Sequence, residues 1–117
     1  MRCSEIIEKL EQIAPTKYAE EWDNVGFLAG RREKMVQTVF IALDATDEII
    51  EEAIEVGADM ILTHHPLIFE PVTRVNGDDF IGRRLVRLLQ NDICYYAMHT
   101  NFDVVAMAQA AADEMGL

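Results

Sequence analysis

The apolar positions alternate between a helical and a strand rhythm. Ile6, Ile7, Leu10 and Ile13 recur at helical spacing behind Ser4, which reads as the N-cap, and Pro15 closes the segment. Gly26-Phe27-Leu28-Ala29 predicts a short strand ended by Gly30, and the β-branched, apolar run Thr38 to Leu43 predicts a buried one ended by Asp44. Thr46 is placed to cap a helix carrying Asp47 and Glu48 in its first turn, where the helix dipole favours them. Ile49, Ile50, Ala53 and Ile54 form that helix's apolar face, and Gly57 suits the position just past its end. Met60 to Thr63 follows as a strand. Asp78 to Gln90 predicts a helix with Phe80, Ile81, Leu85, Leu88 and Leu89 inward and Arg83, Arg84 and Arg87 outward. Ile93 to Met98 predicts another strand, and Val104 to Met115 an Ala-rich helix ending at Gly116.

Strand, helix and strand joined by short links make a βαβ unit, with a right-handed crossover. The alternation predicts an α/β fold: a largely parallel or mixed sheet flanked by helices, in one domain over residues 1–117. A further strand is the natural continuation after the last helix, so the chain reads as the N-terminal segment of a longer protein.

Charge narrows the partners. Asp and Glu number 21 against 10 Lys and Arg, for a formal net charge of −11. A field of that sign repels phosphate backbones and disfavours direct nucleic-acid binding, whereas it suits cations. The two cysteines, Cys3 and Cys94, form no CxxC pair, and Cys94 sits in an apolar run as a buried hydrophobe would. This argues for a reducing, cytoplasmic setting. No apolar run approaches the ~20 residues that span a bilayer. The only serine, Ser4, reads as a cap, and no Gly-rich phosphate loop is present.

The candidate chemistry lies in the three histidines. His64 and His65 follow the Met60 to Thr63 strand and precede Pro66, while His99 follows the Ile93 to Met98 strand with Asp103 four residues on. The C-terminal edge of parallel strands is where α/β folds place their ligands, and neutral imidazole is the commonest transition-metal ligand. Adjacent side chains on an unbroken strand point to opposite faces. Pro66 keeps His65 extended, so the strand end must splay, and the two rings could then address two ions about 3.5–4 Å apart. Asp103, at a helix start, is placed to bridge or chelate. The competing reading is that the pair merely caps the strand through backbone hydrogen bonds. His99 reads as a ligand, a proton carrier or a partner of Asp103. Asp44 reads as a local turn or cap residue, Asp23-Asn24 as a turn, and Trp22 as core or interface.

Three motifs occur together: Trp22-Asp23-Asn24-Val25-Gly26, Thr63-His64-His65-Pro66 with Phe69, and His99-Thr100-Asn101-Phe102-Asp103. In order and spacing they resemble the GTP cyclohydrolase 1 type 2 family, also called the NIF-three-like dinuclear-metal family. The resemblance implies a homohexamer with a centre of two divalent ions (Zn, Fe or Mn). His64, His65 and Asp103 match metal ligands, and His99 matches a histidine beside the site, a candidate catalytic proton carrier. It also implies further His and Glu ligands from a C-terminal motif, yet no histidine follows His99. The expected function is a metal-dependent hydrolase, with a purine nucleotide substrate on the family name alone. The alternative is a non-catalytic metal-binding regulatory or scaffold oligomer.

Overall fold

A computed structural model describes residues 1–116. Its elements run α1 (Cys3–Ile13), a short 3-10 helix (Thr16–Tyr18), β1 (Gly26–Ala29), β2 (Val39–Ala42), α2 (Asp47–Glu55), β3 (Met60–Thr63), α3 (Phe80–Gln90), β4 (Cys94–Ala97) and α4 (Thr100–Met115). The strands form one mixed sheet in the order β1-β4-β3-β2. β2, β3 and β4 are parallel, with Ala42 opposite Thr63 and Thr63 opposite Ala97, while β1 is antiparallel to β4. The α/β architecture is thus the expected one, with the antiparallel strand at one edge.

Period-two alternation divides the core between the two sheet faces. Ile61 and Tyr95 pack with Ile50, Ala53, Leu85 and Leu88 of α2 and α3. Met60, Cys94 and Tyr96 pack the other way, with Cys3, Ile6, Ile7 and Leu10 of α1. All four residues of β4 are buried, because helices cover both of its faces. Toward the β2 edge the sheet is less covered, and Ile41 and Leu43 are exposed. Among the described residues, no helix is long and apolar enough to cross a membrane.

Two helix boundaries follow local signals. The Thr46 hydroxyl accepts from Ile49 N–H at 3.1 Å and caps α2. Gly57, at φ 72°, takes the left-handed turn that releases the chain toward β3. Two other starts depart from expectation. α1 begins at Cys3 rather than behind Ser4, because its first amides are met by distant carbonyls: Cys3 N–H donates to Lys34 O and Ser4 N–H to Arg32 O, each at 2.8 Å. α4 begins at Thr100, ahead of the expected Val104, for a reason that belongs to the site below. In α3, which Asp79 caps from 2.6 Å, Leu85 and Leu88 are buried, but Phe80 and Leu89 are exposed rather than inward. Phe80 lies under the Arg84 guanidinium, 5.0 Å from ring centre to Cζ. Arg83 and Arg84 pair with Asp47, and Arg87 with Glu51, so this basic face is turned to α2 as well as to water.

Candidate metal centre

The C-terminal ends of the three parallel strands lie side by side, and each delivers a polar residue. β2 is followed by Asp44, β3 by His64 and His65, and β4 by His99. β3 stops at Thr63, so the histidines lie beyond the regular strand and escape its alternation. Their rings lie together, with centroids 4.9 Å apart. His99 joins them at 4.9 Å from His64 and 5.4 Å from His65. One ring nitrogen from each of the three falls within 4.8 Å of the others.

Each histidine also has a carboxylate. His65 Nδ1–H donates to Asp44 Oδ1 at 2.7 Å. His99 Nδ1 lies 3.1 Å from Asp23 Oδ2, and His64 Nε2 lies 2.9 Å from Asp103 Oδ1. A carboxylate only accepts, so on neutral His65 and His99 the facing Nδ1 carries the hydrogen and the free lone pair is on Nε2. This is how proteins prepare imidazoles for metal: the outer nitrogen is tied to a carboxylate and the other left basic. His64 Nε2 and Asp103 Oδ1 face each other at 2.9 Å, near enough for both to ligate one ion when His64 holds its hydrogen on Nδ1. Three imidazoles and a carboxylate suit Zn, Fe or Mn.

Backbone hydrogen bonds hold the histidine turn. His65 N–H donates to Leu43 O at 3.0 Å, continuing the β2–β3 ladder past the strand ends. The Thr63 hydroxyl donates to the His65 carbonyl at 2.8 Å. Tyr95 Oη contacts Thr63 Oγ1 and accepts from Leu67 N–H at 3.1 Å. Tyr95 and Thr63 are both buried, and burial is the main cause that pushes the Tyr95 phenol above its ordinary range.

The Trp22-Asp23-Asn24 segment closes one side. Asn24 Nδ2 donates to Ile68 O at 2.7 Å, tying it to the loop after the histidines. The Asp23 side chain has no exposed surface. Its Oδ2 accepts from Thr100 N–H at 3.0 Å and from the Thr100 hydroxyl at 2.7 Å, in addition to His99. Asp23 therefore caps α4 from a remote loop, which is why that helix starts early. Burial would raise the Asp23 carboxyl, but the bonds from Thr100 and His99 outweigh it and hold it below the usual range. Trp22 is exposed rather than core, and meets His99 edge-on at 5.9 Å. A cleft of about 360 Å³ opens beside His65, lined by Asp44, Leu67, Phe69, Phe80 and Arg84.

The four residues singled out in the sequence, His64, His65, His99 and Asp103, thus come together. His99 is partnered by Asp23 and not by Asp103. Asp44 is not a local cap, and Asp23 does more than shape a turn. Their signal was present only in part: Asp44 ends a strand adjacent to the histidine strand, but pairing it with His65 requires the sheet order.

A mixed sheet whose parallel edge gathers three carboxylate-backed imidazoles defines an α/β protein with a metal-capable site. The chain belongs to the Duf34/NIF3 (NGG1p interacting factor 3) family, whose model matches residues 1–117. It is 46% identical over 105 residues to a GTP cyclohydrolase 1 type 2 homolog of Clostridium perfringens, covering 90% of this chain and 40% of that protein. It is 38% identical over 103 residues to NIF3-like protein 1 of Drosophila melanogaster, covering 87% of this chain and 35% of that one. The chain thus spans well under half the length of these curated relatives. The crystal structure of Staphylococcus aureus protein SA1388 superposes with a TM-score of 0.84 at 43% identity, over 88% of this chain and 29% of that one. Reduced HcgD from Methanocaldococcus jannaschii superposes with a TM-score of 0.79 at 39% identity, over 86% and 40%.

Proposed function

We propose that this chain supplies the N-terminal share of a dinuclear metal centre in a metal-dependent hydrolase. The observation that carries the reading is the convergence of His64, His65 and His99, each with a carboxylate on one ring nitrogen. His64, His65 and Asp103 are the metal ligands, and His99 is the residue that moves a proton beside them. Bound divalent ions would bring the pKa of water down towards ~7 and so supply a nucleophile at neutral pH. The residues of this chain do the rest. Asp44 orients His65, Asp23 orients His99, and the cleft between Phe69 and Phe80 gives a substrate room next to His65. The remaining ligands come from the part of the relatives that this chain does not span. A purine nucleotide is the substrate class suggested by the relatives named GTP cyclohydrolase 1 type 2 homolog. Exposed Ile41 and Phe102 support burial of this region in the homohexamer that we include in the reading.

Elemental analysis and calorimetry on the full-length protein test this. Two divalent ions per chain are expected, falling on His65→Ala. A protein that holds none after reconstitution sinks the reading. GTP turnover lost in His65→Ala supports the hydrolase, whereas tightly held metal without turnover of GTP or other purine nucleotides favours the regulatory or scaffold alternative.

A further inference from the structure

Asp23 stands apart from the other carboxylates at the site. Asp44 and Asp103 are about half exposed, but the Asp23 side chain has no exposed surface. A buried carboxylate is tolerated only when hydrogen bonds replace its water, and here every one comes from a neighbour with a fixed position. Oδ1 accepts from Asn24 N–H at 3.0 Å, and Oδ2 from Thr100 N–H, the Thr100 hydroxyl and His99 Nδ1–H. A helix cap needs only the Thr100 amide. The histidine bond is additional, and the ring it holds is bounded further by Trp22 at 5.9 Å and Phe69 at 6.4 Å.

We propose that Asp23 is a positioning residue of the centre, which fixes the His99 ring so that its Nε2 lone pair is presented to the space shared with His64 and His65. The inference rests on the metal-centre reading and deepens it. An acceptor-only partner on Nδ1 leaves His99 one neutral tautomer, with the hydrogen on Nδ1 and the lone pair on Nε2. That state can take a proton, or face an ion, without first reorganising. Freed from Asp23, the ring could turn or exchange its tautomer, and the helix start at Thr100 would loosen with it. One residue thus ties the start of α4, which carries Asp103, to the orientation of His99.

The test uses the full-length protein, metal-free and then with Co²⁺. Long-range ¹H–¹⁵N NMR of the metal-free parent is expected to show His99 protonated on Nδ1. Asp23→Ala removes the oxygen that accepts from both the Thr100 amide and His99 Nδ1–H, and is expected to populate the other tautomer and to weaken Co²⁺ binding by about 10–100-fold, with a changed visible spectrum. Thr100→Ala, which loosens the cap and leaves the histidine bond, is expected to lower the melting temperature and leave the tautomer unchanged. The proposal is overturned if parent His99 carries its hydrogen on Nε2, or if Asp23→Ala keeps the parent tautomer and binds Co²⁺ within twofold of parent. Should Asp23→Ala not fold, the parent tautomer decides. A parent that binds no Co²⁺ sinks the metal-centre reading and this inference with it, an outcome distinct from an unaltered Asp23→Ala.

Discussion

Asp44 and His65 leave the ends of neighbouring parallel strands and meet through Oδ1 and Nδ1 at 2.7 Å. The meeting follows from register. Ala42 lies opposite Thr63, so the residues two further along each chain also lie opposite one another. The carboxylate turns His65 Nε2 into a basic lone pair held at one angle. Asp44→Ala should therefore weaken Zn²⁺ binding by about 10–100-fold. Because Asp44 is half exposed, the same change should move folding stability by no more than about 0.5 kcal/mol. Calorimetric titration and urea unfolding on the same sample check both halves.

The support beneath His64 and His65 is the Thr63–Tyr95 pair. Tyr95→Phe keeps the ring in the core but strips Leu67 N–H of its acceptor and Thr63 of its phenolic partner. Leaving such buried groups unsatisfied should destabilise by about 1–3 kcal/mol. Thr63→Val should cost a similar amount, and the double variant should cost less than the sum, since the two hydroxyls belong to one network. Urea midpoints for the four proteins give the coupling; strict additivity would show that the hydroxyls act separately.

What could be read in advance was what is encoded locally. Thr46 caps the helix that follows it, Gly57 ends the same helix, and the apolar run at Met60 makes β3, each through neighbours within a few residues. The histidine edge was legible for the same reason, because a strand end is marked by its own residues. The misreadings share the opposite property. Ser4 looked like a cap, but Arg32 and Lys34 carbonyls meet those amides. α4 starts at Thr100 because Asp23 reaches it from 77 residues away, a pairing that no local pattern carries. Phe80 looked inward by helical spacing, yet the core stripe of α3 runs through Leu85 and Leu88, and Phe80 stacks on Arg84 instead. Asp23 and Asp44 were visible as residues; their roles depended on which segments the sheet order brought together.

Gly30 marks the closest approach of the β1 edge to the central strand. Its φ is +120°, a conformation reserved almost wholly for glycine, and a Cβ there would lie 2.8 Å from Cys94 Cα. Strain and overlap combine, since Cys94 sits in a fully buried strand and cannot retreat. Gly30→Ala should destabilise by about 2–4 kcal/mol. Gly77→Ala, with open space around the site, is the control and should change little. Thermal melting of the two variants against parent checks the contrast.

Acid should loosen the segment from Arg31 to Val36, which an ionic cluster ties to the strand starts. Arg31 pairs with Asp92 at 2.6 Å, and Lys34 Nζ lies 3.5 Å from Asp59 and donates to the Asp92 carbonyl at 2.6 Å. The Arg31 hydrogen bond is the main cause holding the Asp92 carboxyl down at about 2. The Gln37 amide, then the Thr38 amide and Lys34, hold Asp59 below its ordinary value. Both groups bind protons more weakly folded than unfolded, where they titrate near 3.8. Their contribution is therefore fully present above that value and is lost as pH falls through it toward about 2. Asp59 is the less exposed of the two, so its hydrogen bonds should count for more, while solvent screens Asp92. Urea midpoints should accordingly stay level with respect to these groups from pH 7 to 5 and drop below pH 4. Asp59→Asn should start lower at pH 7 and fall less steeply below pH 4. A variant whose acid slope matches parent would show that Asp59 titrates alike in the folded and unfolded chain.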